Sequence, residues 1–167
     1  MDPHRLDIRA ASAADAAQVA DIYNHFILTS VITFEEERVA TEEMARRIAD
    51  VQSIGLPWLV AAHGEQIVGF AYANKWKTRA AYRFSTEVTV YVRDGLAQSG
   101  IGSRLYTELF AALKSAGVHA VIGGVALPNE ASVRLHEKFG FRKVAHFSEV
   151  GFKFNRWIDV AYWQLNL

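Results

Sequence analysis

Glu87 is the side chain of this sequence best placed to accept a proton. It sits in Ser85-Thr86-Glu87-Val88-Thr89-Val90-Tyr91-Val92, where Thr86, Val88, Val90 and Val92 alternate with Ser85, Glu87, Thr89 and Tyr91. That period predicts a strand with one apolar face and one polar face. A carboxylate beside apolar walls has its pKa raised by desolvation, which proton abstraction near neutral pH needs. The plainer alternative is a half-exposed carboxylate paired with Arg83 or a lysine. Just downstream, Ser99-Gly100-Ile101-Gly102-Ser103 opens a helix carrying Leu105, Leu109, Phe110 and Leu113. Strand, glycine turn and helix N-terminus make an anion site, because unpaired N–H groups and the positive end of the helix dipole point the same way. Gly-x-Gly before a helix also occurs as a plain tight turn. Further on, Asn129 and His136 stand seven residues apart, on roughly one helical face. Asn129 reads first as a helix cap and His136 as a packed or solvated helix histidine. Lys77, Arg79 and Arg83, interleaved with Trp76 and Tyr82, form either a solvated loop or a pocket for a small acidic molecule, since Arg offers a fork of donors to a carboxylate or phosphinate.

The elements that must carry these residues follow from periodicity. Leu6 to Ala10 is a short strand; Ser12 caps a helix whose apolar positions run from Ala16 to Ile27. Thr29 to Phe34 leads into the acidic loop Glu35-Glu36-Glu37. Thr41 is expected to cap a second helix, which Gly55 and Pro57 end. Trp58–Ala62 and Gln66–Ala73 form a hairpin around His63-Gly64-Glu65. Asn74 to Phe84 is the cationic loop. After the central strand and helix come a strand at Ala120–Val125, a helix from Pro128-Asn129 to about Phe139, a strand at Phe141–Phe147 and a final strand at Trp157–Leu165. The expected fold is α/β: a mixed, mostly antiparallel central sheet flanked by helices on both faces, as one domain spanning 1–167.

With 18 basic and 18 acidic residues the formal charge is zero, and no basic excess argues for nucleic acid. Cysteine is absent, which excludes disulfides, thiolate metal sites and a Cys nucleophile. No His/Asp/Glu spacing suggests a metal site, and no Gly-x-Ser-x-Gly elbow supports Ser-His-Asp catalysis. The first residues lack the apolar run of a signal peptide, and no stretch is long enough to span a bilayer, so a soluble cytoplasmic protein is expected.

From about Ile8 to Leu165 the order of elements resembles the GNAT N-acetyltransferases, and within them the phosphinothricin-acetylating branch. The resemblance is carried by Ile22-Tyr23-Asn24-His25-Phe26, Pro57-Trp58-Leu59-Val60-Ala61, Trp76-Lys77-Thr78-Arg79 with Ala81-Tyr82, Thr89-Val90-Tyr91-Val92, Leu127-Pro128-Asn129-Glu130, Ser132-Val133-Arg134-Leu135-His136-Glu137 and Trp157-Ile158-Asp159-Val160. It implies acetyl-CoA as acyl donor and transfer to the amino group of a small acidic amino-acid-like substrate. The strand end Val90, Tyr91 and Val92 would flank the pantetheine; Gln98, Ser99, Gly100, Ile101, Gly102 and Ser103 would hold the pyrophosphate; Asn129 would contact the pantetheine arm. Glu87 falls on the position of the general base and His136 on that of a second catalytic group. Tyr106 is a weaker candidate for proton donor. Phe34, Trp76, Lys77, Arg79, Tyr82 and Lys153 match positions near the acidic substrate. A homodimer is also implied. The turn departs from the family's pattern at Ala97-Gln98, which implies a weaker cap on the pyrophosphate. Two other readings stand beside this one: an acetyltransferase for another amine, such as methionine sulfoximine or sulfone, and a non-catalytic acyl-CoA sensor on the same fold.

Overall fold

The computed structural model describes residues 6–97 and 99–167. Its strands are β1 (Leu6–Ala10), β2 (Trp58–His63), β3 (Gln66–Lys75), β4 (Ser85–Val92), β5 (Ala120–Ala126), β6 (Arg142–Lys153) and β7 (Arg156–Asn166); its helices are α1 (Ala16–Thr29), α2 (Thr41–Ser53), α3 (Ile101–Ser115) and α4 (Glu130–Lys138). The strands form one sheet in the order β1-β2-β3-β4-β5-β7-β6. Among the described residues only β4 and β5 run parallel, joined by the α3 crossover; the other neighbours are antiparallel. The expected mixed, mostly antiparallel sheet with helices on both faces is what forms.

Two apolar layers sandwich the sheet. On one face α3 buries Ile101, Leu105, Tyr106, Leu109, Phe110 and Leu113, a stripe at helical spacing, against Val68, Ala71, Val88 and Val121. Gly69 lets that helix approach: a Cβ there would lie 2.9 Å from the Tyr91 carbonyl and 3.2 Å from Leu105. On the other face α1 and α2 pack Val19, Ile22, Ile27, Met44 and Ile48 on Val60, Ile67 and Phe70. The central strand is therefore covered on both sides, and Tyr91 on its polar face joins the second layer, 9% exposed.

Several boundaries differ from the expected ones for local reasons. Thr41 is the first helical residue of α2, and Ala40 stands at the cap position with no side-chain bond. The start of α1 is closed by Ser12 and Asp15, whose side chains and backbone amides bond reciprocally around one 3-10 turn. β6 runs six residues past the expected Phe147, because its pairing with β7 resumes at Gly151 after an irregular stretch in which Glu149 has φ 52°. That bulge breaks the alternation by which a strand is recognised in a sequence.

Candidate active site

The site starts from an interrupted ladder. β4 and β5 pair only at Ser85–Ala120, Thr86–Val121 and Glu87–Ile122, although the strands continue to Val92 and Ala126. Beyond Glu87 and Ile122 the strands splay, so the facing backbone edges of Val88–Val92 and Gly123–Ala126 have no strand partner. Such an edge offers N–H and C=O groups to an extended ligand.

The two glycines at the start of the splay are positioned by side chains on opposite faces. A Cβ on Gly123 would overlap the His136 ring, and one on Gly124 would lie 2.9 Å from the Tyr162 ring and 3.2 Å from Glu87 Oε1. Glu87 and His136 thus do not share a pocket. They stand on either side of the sheet, at one end of the slot.

On the Glu87 side lies a cavity of about 690 Å3 lined by Phe34, Trp76, Lys77, Glu87, Gly124 and Tyr162, together with apolar residues of β6 and β7. Burial raises the pKa of Glu87, and the positive charge of Lys77 opposes that rise. The Lys77 ammonium lies 4.9 Å above the Trp76 ring. Arg79 and Tyr82 stand exposed on a 3-10 turn outside this lining. Lys153 is 2% exposed, and its Nζ donates to the carbonyls of Ser30 and Thr33, at 2.9 and 2.8 Å, rather than lining the cavity. Tyr162 and Val160 form the wall contributed by β7, and the alternation of that strand is the signal in the sequence that marks their shared face. A smaller cavity of about 320 Å3 lies by Trp58, Phe70 and Tyr72. Its cation, Arg47, is already forked onto Glu35 at 2.9 and 2.7 Å, so the cavity holding Glu87 is the one equipped for acid–base chemistry.

On the other face, His136 is 3% exposed. Its Nδ1 lies 2.8 Å from the Ser132 carbonyl, which makes it the donor, and its Nε2 is 3.1 Å from the Tyr106 hydroxyl. Burial lowers the pKa of His136 and raises that of Tyr106, so both are neutral. Asn129 caps α4 by accepting the Ser132 N–H at 3.1 Å.

The helix N-terminus lies in the expected place. Gly100 is its cap, at φ 81°, and a Cβ there would meet nothing within 4 Å. The first helical amide bond runs from Arg104 to the Gly100 carbonyl, leaving the N–H groups of Ile101, Gly102 and Ser103 at the open end of the helix. Lys138 of α4 donates to Ser103 Oγ at 3.0 Å and adds a fixed cation that sequence reasoning missed. Only the α3–α4 packing brings it there. Ser99 is tied back to Leu96 through both its amide and its hydroxyl. Gln98 lies outside the described residues. Open backbone, free amides and a nearby ammonium fit the phosphate groups of a nucleotide cofactor, and the slot fits its extended arm.

The Acetyltransferase (GNAT) domain family matches residues 8–162. A phosphinothricin N-acetyltransferase of Streptomyces viridochromogenes is 40% identical over 98% of this chain and 90% of its own length. An L-methionine sulfoximine/L-methionine sulfone acetyltransferase of Salmonella typhimurium is 32% identical over 97% of this chain and 95% of its own. The crystal structure of a GNAT phosphinothricin acetyltransferase from Sinorhizobium meliloti, in complex with acetyl-CoA, superposes with a TM-score of 0.93 at 33% identity, covering 98% of this chain and 89% of that one. The domain match spans nearly the whole sequence and the relatives align end to end: the chain belongs to the GNAT acetyltransferase family.

Proposed function

We propose that the protein, acting as a single domain, transfers the acetyl group of acetyl-CoA to the amine of a small acidic amino-acid-like substrate such as phosphinothricin. The observation that carries this reading is the splay of β4 from β5. It opens the sheet between a face with an anion-binding helix end and a face with a carboxylate in a cavity. Donor and acceptor can then approach from opposite sides.

When bound, acetyl-CoA supplies a thioester whose acyl transfer releases a thiolate. Ile101, Gly102, Ser103 and Lys138 would hold its phosphates, while Asn129 and the strand edge Val90–Val92 would hold its arm. Glu87 accepts a proton from the substrate ammonium, directly or through water, so that the amine has a lone pair to form the new C–N bond. A backbone N–H of the Val90–Val92 edge stabilises negative charge on the carbonyl oxygen. His136, on the cofactor side and neutral, is the second catalytic candidate: the proton that the released thiolate needs would come from His136 or from solvent, with Tyr106, bonded to His136 Nε2, a weaker candidate. Phe34 and Trp76 wall the substrate, Lys77 attracts its acidic group, and Arg79 and Tyr82 act from the exposed loop beside the cavity. The relative named for methionine sulfoximine and methionine sulfone supports an alternative acceptor, an amino acid with such a neutral side chain.

Val144, Phe147, Val150, Phe152, Phe154 and Trp157, each more than half exposed, line the edge hairpin β6–β7. That patch supports a homodimer formed through this edge. We place the enzyme in the cytoplasm, where a free acyl-CoA is at hand. No helix among the described residues is long and apolar enough to cross a membrane.

The test is release of free thiol by pure protein supplied with acetyl-CoA and a panel of amines: phosphinothricin, methionine sulfoximine, methionine sulfone, a neutral amine and a diamine. Acceleration by phosphinothricin supports the reading; acceleration by methionine sulfoximine or sulfone alone overturns it in favour of the neutral acceptor. Thiol release that no amine accelerates overturns it in favour of a cofactor sensor, and a preference for the diamine overturns the acidic substrate class.

A further inference from the structure

The segment joining α1 to α2 forms one wall of the large cavity, and four of the ties that set its course reach the stretch from Ser30 to Glu35. Tyr91 donates its hydroxyl to the Ile32 carbonyl at 3.4 Å, Tyr23 and Thr33 join hydroxyls at 2.8 Å, and Arg47 forks onto Glu35. These three partners belong to β4, α1 and α2. The fourth tie comes from the far edge of the sheet: Lys153, at the end of β6, donates to the carbonyls of Ser30 and Thr33.

Lys153 is buried, with two of its three N–H donors spent on the segment it holds. Burial lowers its pKa, while the nearby Glu35 and Glu36 oppose that fall. Two residues before it on β6, Gly151 receives the Phe34 ring so closely that any Cβ would overlap it. Phe34 follows Thr33 directly, and its other surface lines the cavity. One strand end therefore grips the backbone on one side of Phe34 and supplies the flat seat for its ring.

We propose that Lys153 is a positioning residue that sets the acceptor cavity's width by holding Phe34 on Gly151, and does not itself touch the acceptor. This rests on reading the cavity as the acceptor site. The same strand carries the exposed apolar edge, so the clamp also links the cavity wall to that surface.

A double-mutant cycle tests it. Lys153→Met raises KM for phosphinothricin, by about fivefold or more, with kcat and the KM for acetyl-CoA changed less than about twofold. In a Phe34→Ala background the same substitution adds less than about twofold, because the wall it positions is gone. Equal losses in both backgrounds overturn the proposal and make Lys153 a direct acceptor contact. Should Lys153→Met fail to fold, Gly151→Ala carries the same cycle, since it displaces Phe34 with the ammonium in place; a loss that ignores Phe34 overturns the seat. A second readout needs no turnover. Amide hydrogen exchange across residues 30–35 quickens about tenfold or more in Lys153→Gln, as expected when a buried charge-assisted bond is weakened; unchanged exchange overturns the clamp. A wild-type protein that acetylates none of the acids, yet shows the faster exchange in the variant, sinks the reading of the cavity and leaves the clamp standing.

Discussion

Replacing Glu87 by Gln isolates the proton-accepting role from everything else the side chain does. Gln matches the size of Glu, so the contact with Gly124, where a Cβ would lie 3.2 Å from the carboxylate, is preserved and the cavity keeps its shape. What disappears is the basic oxygen, whose pKa burial raises. A positioned general base contributes about 10²–10⁴-fold, which corresponds to ~2.7–5.4 kcal/mol of barrier. At pH 7 the kcat of Glu87→Gln falls into that range. Acetyl-CoA still binds, because the anion site lies across the sheet. The deficit shrinks as pH approaches the pKa of the substrate amine, which then arrives already deprotonated. Steady-state thiol release from pH 6 to 10, with acetyl-CoA affinity measured separately by calorimetry, reads both effects. An undiminished kcat at pH 7 refutes the base assignment and leaves Glu87 a half-buried carboxylate with no part in proton transfer.

Three further outcomes follow from named contacts. As the proposed base Glu87 works deprotonated, and Lys77 favours its charged form; Lys77→Met therefore moves the acidic limb of kcat/KM to higher pH, and a limb that stays put or moves down excludes that coupling. Acetyl-CoA raises the Tm of the wild type by binding the native state; Gly100→Glu abolishes the shift, whereas Gly100→Ala, which carries the strain of φ 81° without the charge, keeps part of it. Asn24 bridges both backbone groups of Val39, accepting at 2.7 Å and donating at 2.9 Å. Asn24→Leu strands a buried N–H and C=O and lowers unfolding free energy in urea by ~2–4 kcal/mol; a loss below ~1 kcal/mol would mean that the segment relaxes to reach water.

Much of this molecule is legible in its sequence because periodicity and turn chemistry act over a few residues. Leu105, Leu109 and Leu113 mark one face of α3, Gly100 and Gly102 mark its start, and Ser85–Val92 announces a strand by alternation. Glu87 could be singled out because its valine neighbours already implied desolvation. The long resemblance adds the roles, since whole segments such as Trp76–Arg79 and Pro128–His136 repeat a family's pattern. The bulge around Glu149 hides the second half of β6 from periodicity, and nothing local in the sequence connects Lys138 to Ser103.

Only the tertiary structure decides how these groups meet. The sequence determines that a carboxylate lies on β4 and a histidine on α4. It does not say that they occupy opposite faces of the sheet, because that depends on where the β4–β5 ladder stops and on which side α4 packs. A cationic residue at position 153 carries the same charge wherever it lies. That Lys153 is buried against the carbonyls of Ser30 and Thr33 follows from β6 and the α1–α2 connection closing on each other across 120 positions of sequence. Local rules fix the elements, and nonlocal pairing fixes the slot, the cavity wall and the faces from which chemistry can approach.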